Sequence, residues 1–363
     1  MLSSLAYRHK SELPTPALLL DLDAAEHNIE KMAAFFADKA CKLRPHAKTH
    51  KLPWIAHRQV QAGAIGITCS KLEDAKAFVE AGIRDILISN QVVEKSKILE
   101  LVNLLHLAHV MVCVDRLDNA EDLSAAALNA GVRLGVLIEV DVGIHRCGVA
   151  PGMATLGLAR KLSELPGLSF QGLMGYEGGL FMMDGPEKDK TCRERNDRVV
   201  ETRDLLEKSG FQVPVVSAGG SNTYRMTGLR QGITDIQPGS YVTMDEWNAR
   251  HQIDFKQAIT VLGTVISRPE KERAIIDVGL KAVSTDHGVP GILSPSGLEI
   301  EVLNEEHGKV ILKDPISEVS VGDKIEIIPS HGCTTVPLFS HYIGVKGDRA
   351  VAALRIISGG ATY

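Results

Sequence analysis

Short apolar runs typical of β-strands recur along the first two thirds of the chain. An opening run at 17–21 and a helix-like stretch at 24–37 are followed by eight further runs, at 41–43, 64–68, 85–89, 109–114, 134–140, 172–175, 213–217 and 234–237. Most of the gaps have helical periodicity, and the one at 72–82 ends on Gly82, as helices commonly do. Nearly continuous apolar strands separated by helices predict parallel strands that are buried on both faces.

Eight strands that alternate with helices predict a (β/α)8 barrel of the TIM type. The competing architecture is a doubly wound open sheet. That fold would place a glycine-rich GxGxxG turn after its first strand, and the sequence has none there. We therefore favour the barrel.

The pattern changes beyond about residue 248. Runs at 258–267, 273–278, 298–303, 309–313, 324–329 and 350–358 alternate with turns and have little helical periodicity. We predict an α/β barrel domain over residues 1–248 and a C-terminal all-β domain over 249–363. The opening strand, at about 14–21, is assigned to the barrel, with membership of the β-domain as the alternative.

Composition restricts the classes of function. A chain of 363 residues with 44% hydrophobic and 23% charged residues can bury a large core. A net charge of -5 argues against a nucleic-acid partner, and the chain has neither a signal-peptide core near its start nor a run long enough for a membrane span. The six cysteines are scattered without a CxxC pair, which favours reduced thiols. We expect a cytoplasmic protein that binds neither membrane nor nucleic acid.

A cluster of cations follows the run at 41–43. Lys48 lies within the segment Arg44-Pro45-His46-Ala47-Lys48-Thr49-His50-Lys51. Repulsion from neighbouring cations favours the neutral amine of Lys48, which is then available as a nucleophile or base and suits imine chemistry. The plainer alternative is a solvated basic turn.

Other polar residues follow later strands, at the end of a barrel where active sites lie. They are Asp141, His145 and Arg146 after the fifth strand, Tyr176 and Glu177 after the sixth, the loop 217–223 after the seventh, and the loop 237–241 after the eighth. Glycine-rich loops after the last two strands are suited to binding a phosphate through backbone N–H groups. With an activated lysine in the same barrel, they indicate pyridoxal phosphate.

These motifs resemble one enzyme family. The segments 44–51, 139–149, 175–176, 217–220, 238–241 and 329–333 are similar, in order, to those of the fold-type III pyridoxal-phosphate enzymes, the alanine-racemase-like group. Within it the chain resembles the D-threonine aldolase and D-serine dehydratase family. The resemblance extends from about residue 14 to about residue 338 and implies a homodimer.

The resemblance implies roles for the barrel residues. Lys48 matches the lysine that binds the cofactor covalently and moves a proton at Cα. Arg146 matches an arginine on the cofactor's phenolic oxygen, Tyr176 matches a tyrosine on its ring, and Gln237 stands where alanine racemases have an arginine against the pyridine nitrogen. The remaining cofactor-binding candidates, mostly on the phosphate, are Ser217, Gly219, Gly220, Gly239, Ser240 and Tyr241.

A candidate metal site lies in His331-Gly332-Cys333. In a strand, side chains at i and i+2 share a face, so an imidazole and a thiolate there could bind one ion, with Zn2+ favoured and Mn2+ or Mg2+ as alternatives. The plain alternative is a buried cysteine beside a surface histidine. In the family this segment supplies the metal ligands, usually His-x-Asp in the aldolases and His-x-Cys in the dehydratases.

The chain differs from the family's aldolases at a second position, and this difference also favours the dehydratases. Family aldolases have a histidine six residues after the tyrosine that corresponds to Tyr176, and here that position is Met182, which cannot act as a base. Glu177 and His287 are the remaining candidates. The sequence therefore predicts a dehydratase of a D-β-hydroxy-α-amino acid such as D-serine or 3-hydroxy-D-aspartate. Retro-aldol cleavage is the first alternative, and a non-catalytic pyridoxal-phosphate carrier is the second.

Overall fold

The computed structural model describes residues 7–180, 183–251, 254–313 and 319–357, and the chain forms two compact units. The barrel unit consists of Met32–Lys48 and Ala56–Gly239. The β unit consists of Met1–Lys31, Thr49–Ile55 and Ser240–Tyr363. The predicted domain boundary between residues 248 and 249 stays a prediction.

The chain begins with strand β1 (Ala17–Asp21) and helix α1 (Leu22–Phe36). The barrel unit then contributes eight parallel strands in the order β2-β9-β8-β7-β6-β5-β4-β3. A bridge between His46 and Thr68 connects the two ends of this order, so the sheet closes on itself. The strands are β2 (Lys42–Leu43), β3 (Ile67–Cys69), β4 (Asp85–Ile88), β5 (His109–Val114), β6 (Leu134–Glu139), β7 (Leu168–Gly175), β8 (Val215–Ala218) and β9 (Asp235–Ile236).

Helices connect these strands and confirm the predicted alternation. In α3, Leu72, Ala75 and Phe78 are buried at a spacing of three residues, which is the stripe expected of a helix packed on a sheet. The helices are α2 (Pro53–Gln61), α3 (Leu72–Glu80), α4 (Lys95–Leu104), α5 (Leu117–Asn129), α6 (Met153–Ser163), α7 (Gly185–Lys208) and α8 (Tyr224–Thr227). The predicted TIM-type barrel is confirmed.

The barrel interior contains both an apolar layer and a buried ion network. Leu87, Met111, Leu137 and Met174 pack together inside the strands. The guanidinium of Arg44 is buried; it hydrogen-bonds Asp85, and its Nε lies 3.8 Å from Asp235. A buried cation is tolerated only when such partners compensate its lost hydration.

The β unit is built on a mixed nine-stranded sheet in the order β13-β14-β11-β10-β1-β16-β17, with β15 and β12 paired beside β10. The opening strand β1 lies in this sheet, antiparallel to β10 and parallel to β16. Two strands of this unit, β12 and β16, were not predicted from the sequence. Its other elements are α9 (Glu246–Arg250), β10 (Ile259–Glu270), β11 (Arg273–Ile276), β12 (Gly291–Ser294), β13 (Leu298–Leu303), β14 (Gly308–Leu312), β15 (Lys324–Ile328), α10 (Gly332–Thr335), β16 (His341–Lys346) and β17 (Arg349–Arg355).

Throughout the four described ranges, every helix is too short or too polar to cross a bilayer. The six cysteines all lie in the described ranges, and none of them forms a disulfide.

Candidate active site

Lys48, Arg146 and Tyr176 come together at the C-terminal ends of the barrel strands. Lys48 follows β2, Arg146 lies in the loop after β6, and Tyr176 follows β7 directly. The Nζ of Lys48 lies 5.9 Å from the centroid of the Tyr176 ring, and the guanidinium carbon of Arg146 lies 5.7 Å from the same centroid. An amine and a guanidinium thus converge on one aromatic ring.

The segment around Lys48 is fixed by backbone contacts. The buried His46 donates its backbone N–H to the carbonyl of Pro238 over 3.0 Å, and its Nδ1 lies 3.4 Å from the backbone nitrogen of Lys48. The cation cluster is weaker than the sequence suggests, because Arg44 is compensated by carboxylates and His50 is neutral. Burial lowers the pKa of His50 to about 3, and its Nδ1 accepts the backbone N–H of Leu52 over 3.0 Å.

Glu177 is buried and holds the glycine loop that follows β8. One of its carboxylate oxygens accepts the N–H of Gly219 over 2.9 Å, and the other accepts the hydroxyls of Thr223 and Thr227, each over 2.6 Å. Gly219 has φ +76°, and a Cβ there would lie 3.1 Å from the Thr227 methyl, so this turn favours glycine.

The glycine loop differs in one respect from the expectation. The N–H of Gly219 goes to Glu177, and that of Gly220 goes to the Thr223 hydroxyl over 3.1 Å. Both groups, expected on a phosphate, are used to shape the loop. The loop still lies beside the aromatic ring, because a Cβ at Gly220 would lie 3.7 Å from Tyr176.

Ser217 and Gln237 form a hydrogen-bonded chain of fixed polarity. The side-chain amide of Gln237 donates to the Ser217 hydroxyl over 2.8 Å, and that hydroxyl donates to Asp235 over 2.5 Å. Burial raises the pKa of Asp235 and outweighs the charge of Arg44, which acts to lower it. Gly239 ends the barrel unit.

The β unit contains a cluster of side chains of the types that can bind a metal. His331 Nδ1 lies 2.7 Å from a carboxylate oxygen of Asp286, and the rings of His287 and His331 stack with centroids 4.0 Å apart at 4°. One potential ligand atom from each of these three residues lies within 4.8 Å of the others. The sulfur of Cys333 lies 3.2 Å from the Thr49 hydroxyl, and Thr49 follows Lys48 in sequence.

Charge in this cluster shifts two pKa values in opposite directions. Burial lowers the pKa of His331, but hydrogen bonds and charge from Cys333 and Asp286 outweigh it and raise the pKa to about 9. Burial raises the pKa of Asp286, but hydrogen bonds from Ser284, His331 and Thr334 lower it to about 2.

The backbone at His331 and Cys333 corrects one expectation. The sequence predicted an extended arrangement, but β15 ends at Ile328, His331 is the residue before α10, and Cys333 lies inside that short helix. Asp245 accepts the N–H of Gly332 over 2.9 Å, which fixes the helix start. A sharp turn of the chain, and not an extended strand, therefore relates His331 to Cys333.

The remaining residues named in the sequence analysis are Ser240, Tyr241 and Met182. Ser240 starts a short 3-10 helix, and Tyr241 is buried with its ring edge-on to Phe255, centroids 5.4 Å apart. Met182 lies outside the described residues. Sequence reasoning did not find Asp286 and gave no role to Thr49 and Thr223, although the adjacent pair Asp286-His287 was a visible signal.

The donor chemistry fits both groups that the sequence suggested. An amine and a guanidinium around one aromatic ring suit a phosphorylated aldehyde, and Lys48 would hold it covalently. Imidazole nitrogen with cysteine sulfur is a donor set that suits Zn2+.

Comparison with known proteins assigns the family. Residues 20–246 match the family model of the alanine racemase N-terminal domain, and residues 258–345 match the putative serine dehydratase domain. A D-threonine aldolase from Arthrobacter sp. is 36% identical over 343 residues, which is 93% of this chain and 90% of that protein. The chain belongs to the alanine-racemase-like family of D-amino-acid lyases.

Members of this family with different activities resemble the chain. The solved D-threonine aldolase from Filomicrobium marinum has a TM-score of 0.94 and 35% identity, covering 97% of both chains. A D-threo-3-hydroxyaspartate dehydratase from Delftia sp. (strain HT23) is 30% identical over 93% of this chain and 96% of that protein.

Two solved variants of a D-threo-3-hydroxyaspartate dehydratase are relevant to the β unit. They replace a histidine and, two positions later, a cysteine with alanine, and the cysteine variant is in a metal-free form. The cysteine variant has a TM-score of 0.89 and 28% identity, covering 97% of this chain and 100% of that one.

Proposed function

We propose that this chain is a pyridoxal-phosphate- and metal-dependent dehydratase that converts a D-β-hydroxy-α-amino acid, of the D-serine or 3-hydroxy-D-aspartate type, into a keto acid and ammonia. The observation that carries the proposal is the placement of His331 and Cys333 at the sharp start of one short helix, with the His331 ring 2.7 Å from Asp286. The two dehydratase variants support it, because their histidine and cysteine have the same spacing as His331 and Cys333, and the solved cysteine variant is in a metal-free form.

The barrel residues have distinct roles in this proposal. Lys48 would remove the Cα proton of the D-substrate, and bound pyridoxal phosphate supplies an electron sink for the charge that develops there. Tyr176 would pack on the cofactor ring and Arg146 would bind its phenolic oxygen, since both lie around one site with Lys48. Glu177 would act through the glycine loop that it holds.

The β-unit residues would act on the leaving group. His331 and Cys333 would hold a divalent ion, with Zn2+ favoured over Mn2+ or Mg2+, that acts as a Lewis acid on the β-oxygen. The Cα–H and Cβ–O bonds break and water leaves. The resulting enamine takes up water and gives the keto acid and ammonia.

Retro-aldol cleavage to glycine and an aldehyde is the second candidate, and the 36% identity to the Arthrobacter aldolase favours it. It needs a base for the β-hydroxyl. Glu177 is poorly suited, because its two oxygens accept three hydrogen bonds. His287, stacked on His331, is the better placed candidate.

One assay separates the two reactions. The protein loaded with pyridoxal phosphate is incubated with D-serine, D-threonine and 3-hydroxy-D-aspartate, with and without Zn2+ or Mn2+, and both ammonia and glycine are measured. Ammonia with keto acid in a metal-dependent reaction supports the dehydratase. Glycine with aldehyde and no ammonia contradicts it and establishes the aldolase.

Cys333→Ala tests the metal ligand. We expect this variant to retain the cofactor's absorbance. Its turnover should fall by more than about 10–100-fold, which is the usual effect of losing a hydrogen-bond partner of a metal ligand. Cys41→Ala, which removes a buried thiol from the barrel unit, is the matched control and should keep its turnover. Full turnover of metal-stripped Cys333→Ala would exclude the proposed role of the ion.

We also propose a homodimer, as the family resemblance implies. Sedimentation equilibrium of the loaded protein should give twice the mass of the 39.2-kDa chain. A monomer mass over the whole concentration range would contradict this part of the proposal.

A further inference from the structure

We propose that Asp286 is a positioning residue for the metal centre: its carboxylate fixes the ring of His331 so that Nε2 is presented to the ion. This inference rests on the proposed function, since it assumes that His331 is a metal ligand. The sequence motifs do not include Asp286, which lies 45 residues before His331.

The hydrogen bond to Asp286 decides which nitrogen of His331 can bind a metal. His331 Nδ1 and the Oδ2 of Asp286 are 2.7 Å apart. A carboxylate only accepts hydrogen bonds, so Nδ1 carries the proton and the lone pair of the neutral ring is on Nε2. A carboxylate behind a metal-binding imidazole sets its tautomer and orientation and raises its basicity.

The carboxylate of Asp286 is itself held in place. Its second oxygen accepts the hydroxyls of Ser284, over 2.6 Å, and of Thr334, over 2.8 Å. Thr334 follows Cys333 directly in the chain. Asp286 therefore connects to the segments of both proposed ligands and resists rotation.

His287 restrains the same ring from its face. The two imidazoles are parallel within 4°, with centroids 4.0 Å apart, and the ring centroids of His287 and Trp247 are 5.0 Å apart. His287 therefore packs on the face of the His331 ring and restrains it.

Metal affinity, measured without substrate, tests the inference. Metal-stripped protein carrying pyridoxal phosphate is titrated with Zn2+ against a chromophoric chelator, and separately with Co2+ while the visible absorption is recorded. We expect Asp286→Ala to raise the Zn2+ Kd by about 10–100-fold. Asp286→Asn, whose amide oxygen still accepts from Nδ1, should have a smaller effect.

Zn2+ binding by four further variants distinguishes a failure of the positioning role of Asp286 from a failure of the proposed metal site. Ser284→Ala removes one support of the carboxylate and should weaken Zn2+ binding less than Asp286→Ala does. Asp348→Asn changes an exposed carboxylate of the same unit and should change nothing. Wild-type Kd and Co2+ spectrum in Asp286→Ala overturn the positioning role, and loss of binding as complete as in His331→Ala overturns it in favour of direct ligation. If His331→Ala and Cys333→Ala bind Zn2+ as the wild type does, the proposed metal site itself is wrong.

Discussion

At the scale of single residues, the clearest difference between expectation and structure is Glu177. The sequence proposed it, together with His287, as a candidate base for retro-aldol cleavage, because Met182 cannot act as a base. The structure surrounds it with Gly219, Thr223 and Thr227, and the residue is only 1% exposed. A carboxylate that accepts three short hydrogen bonds is suited to holding a loop.

Glu177→Gln tests this role. The amide donates where a carboxylate accepts, so at least one of the three donors loses its partner and the free energy of unfolding should fall by about 1–3 kcal/mol. Cofactor retention on dialysis should fall with it, because the glycine loop loosens. Urea unfolding and absorbance check both effects. Unchanged stability with abolished turnover would instead indicate a catalytic base.

His50 gives the protein a pH-dependent stability. Burial lowers its pKa to about 3, against 6.5 for an ordinary histidine. Between these values the unfolded chain binds a proton that the folded chain does not, so the free energy of unfolding rises with pH over this window and levels off above it.

His50→Asn should flatten that dependence. The amide oxygen can accept the N–H of Leu52, which His50 Nδ1 accepts over 3.0 Å, and asparagine does not titrate. Urea unfolding at about pH 7 and about pH 5 should show a loss of about 2 kcal/mol in the wild type that is absent from the variant. An equal loss in both proteins would mean that other groups dominate.

At the scale of elements, the pairing of two barrel strands, β7 and β8, requires their backbones to approach closely at a glycine. Gly172 in β7 has φ +142°, and a Cβ there would lie 1.9 Å from the carbonyl oxygen of Val215 in the neighbouring β8. No side chain can be accommodated there without moving one strand from the other.

Gly172→Ala should therefore destabilise the protein by more than about 3 kcal/mol, since the clash is with backbone at a positive φ. Gly157→Ala is the matched control. Gly157 lies in α6, and a Cβ there would have more than 4 Å of clearance from the described residues around it, so alanine should be neutral or stabilising by up to about 1 kcal/mol. Equal thermal unfolding of both variants would contradict the packing argument.

At the scale of the whole molecule, closure of the barrel brings together charges that are distant in sequence. Arg44 follows β2, Asp85 begins β4 and Asp235 begins β9, yet they form one network in which Arg44 and Asp235 are buried. Removing one partner from such a network is destabilising, because the buried charge that remains has lost both its hydration and that partner.

Asp235→Asn should lower the free energy of unfolding by about 1–3 kcal/mol, because Arg44 keeps Asp85 but loses its buried carboxylate neighbour. His109→Gln, which removes the exposed partner of Asp85, should cost at most about 1 kcal/mol. Denaturant unfolding of the two variants gives the comparison. A smaller effect for Asp235→Asn than for His109→Gln would contradict the role of the buried network.

The sequence by itself determined the strand and helix alternation of the barrel and the family motifs, in which Lys48, Arg146, Tyr176, His331 and Cys333 remain predicted site residues. These follow from local periodicity and from short segments, which a linear chain displays directly. The hydrogen-bonding of Glu177, the neutral state of His50, the approach of Asp286 to His331 and the burial of Arg44 were decided only by the tertiary structure. Each depends on groups brought together from distant segments and on the water excluded around them, and neither is encoded in the spacing of residues along the chain.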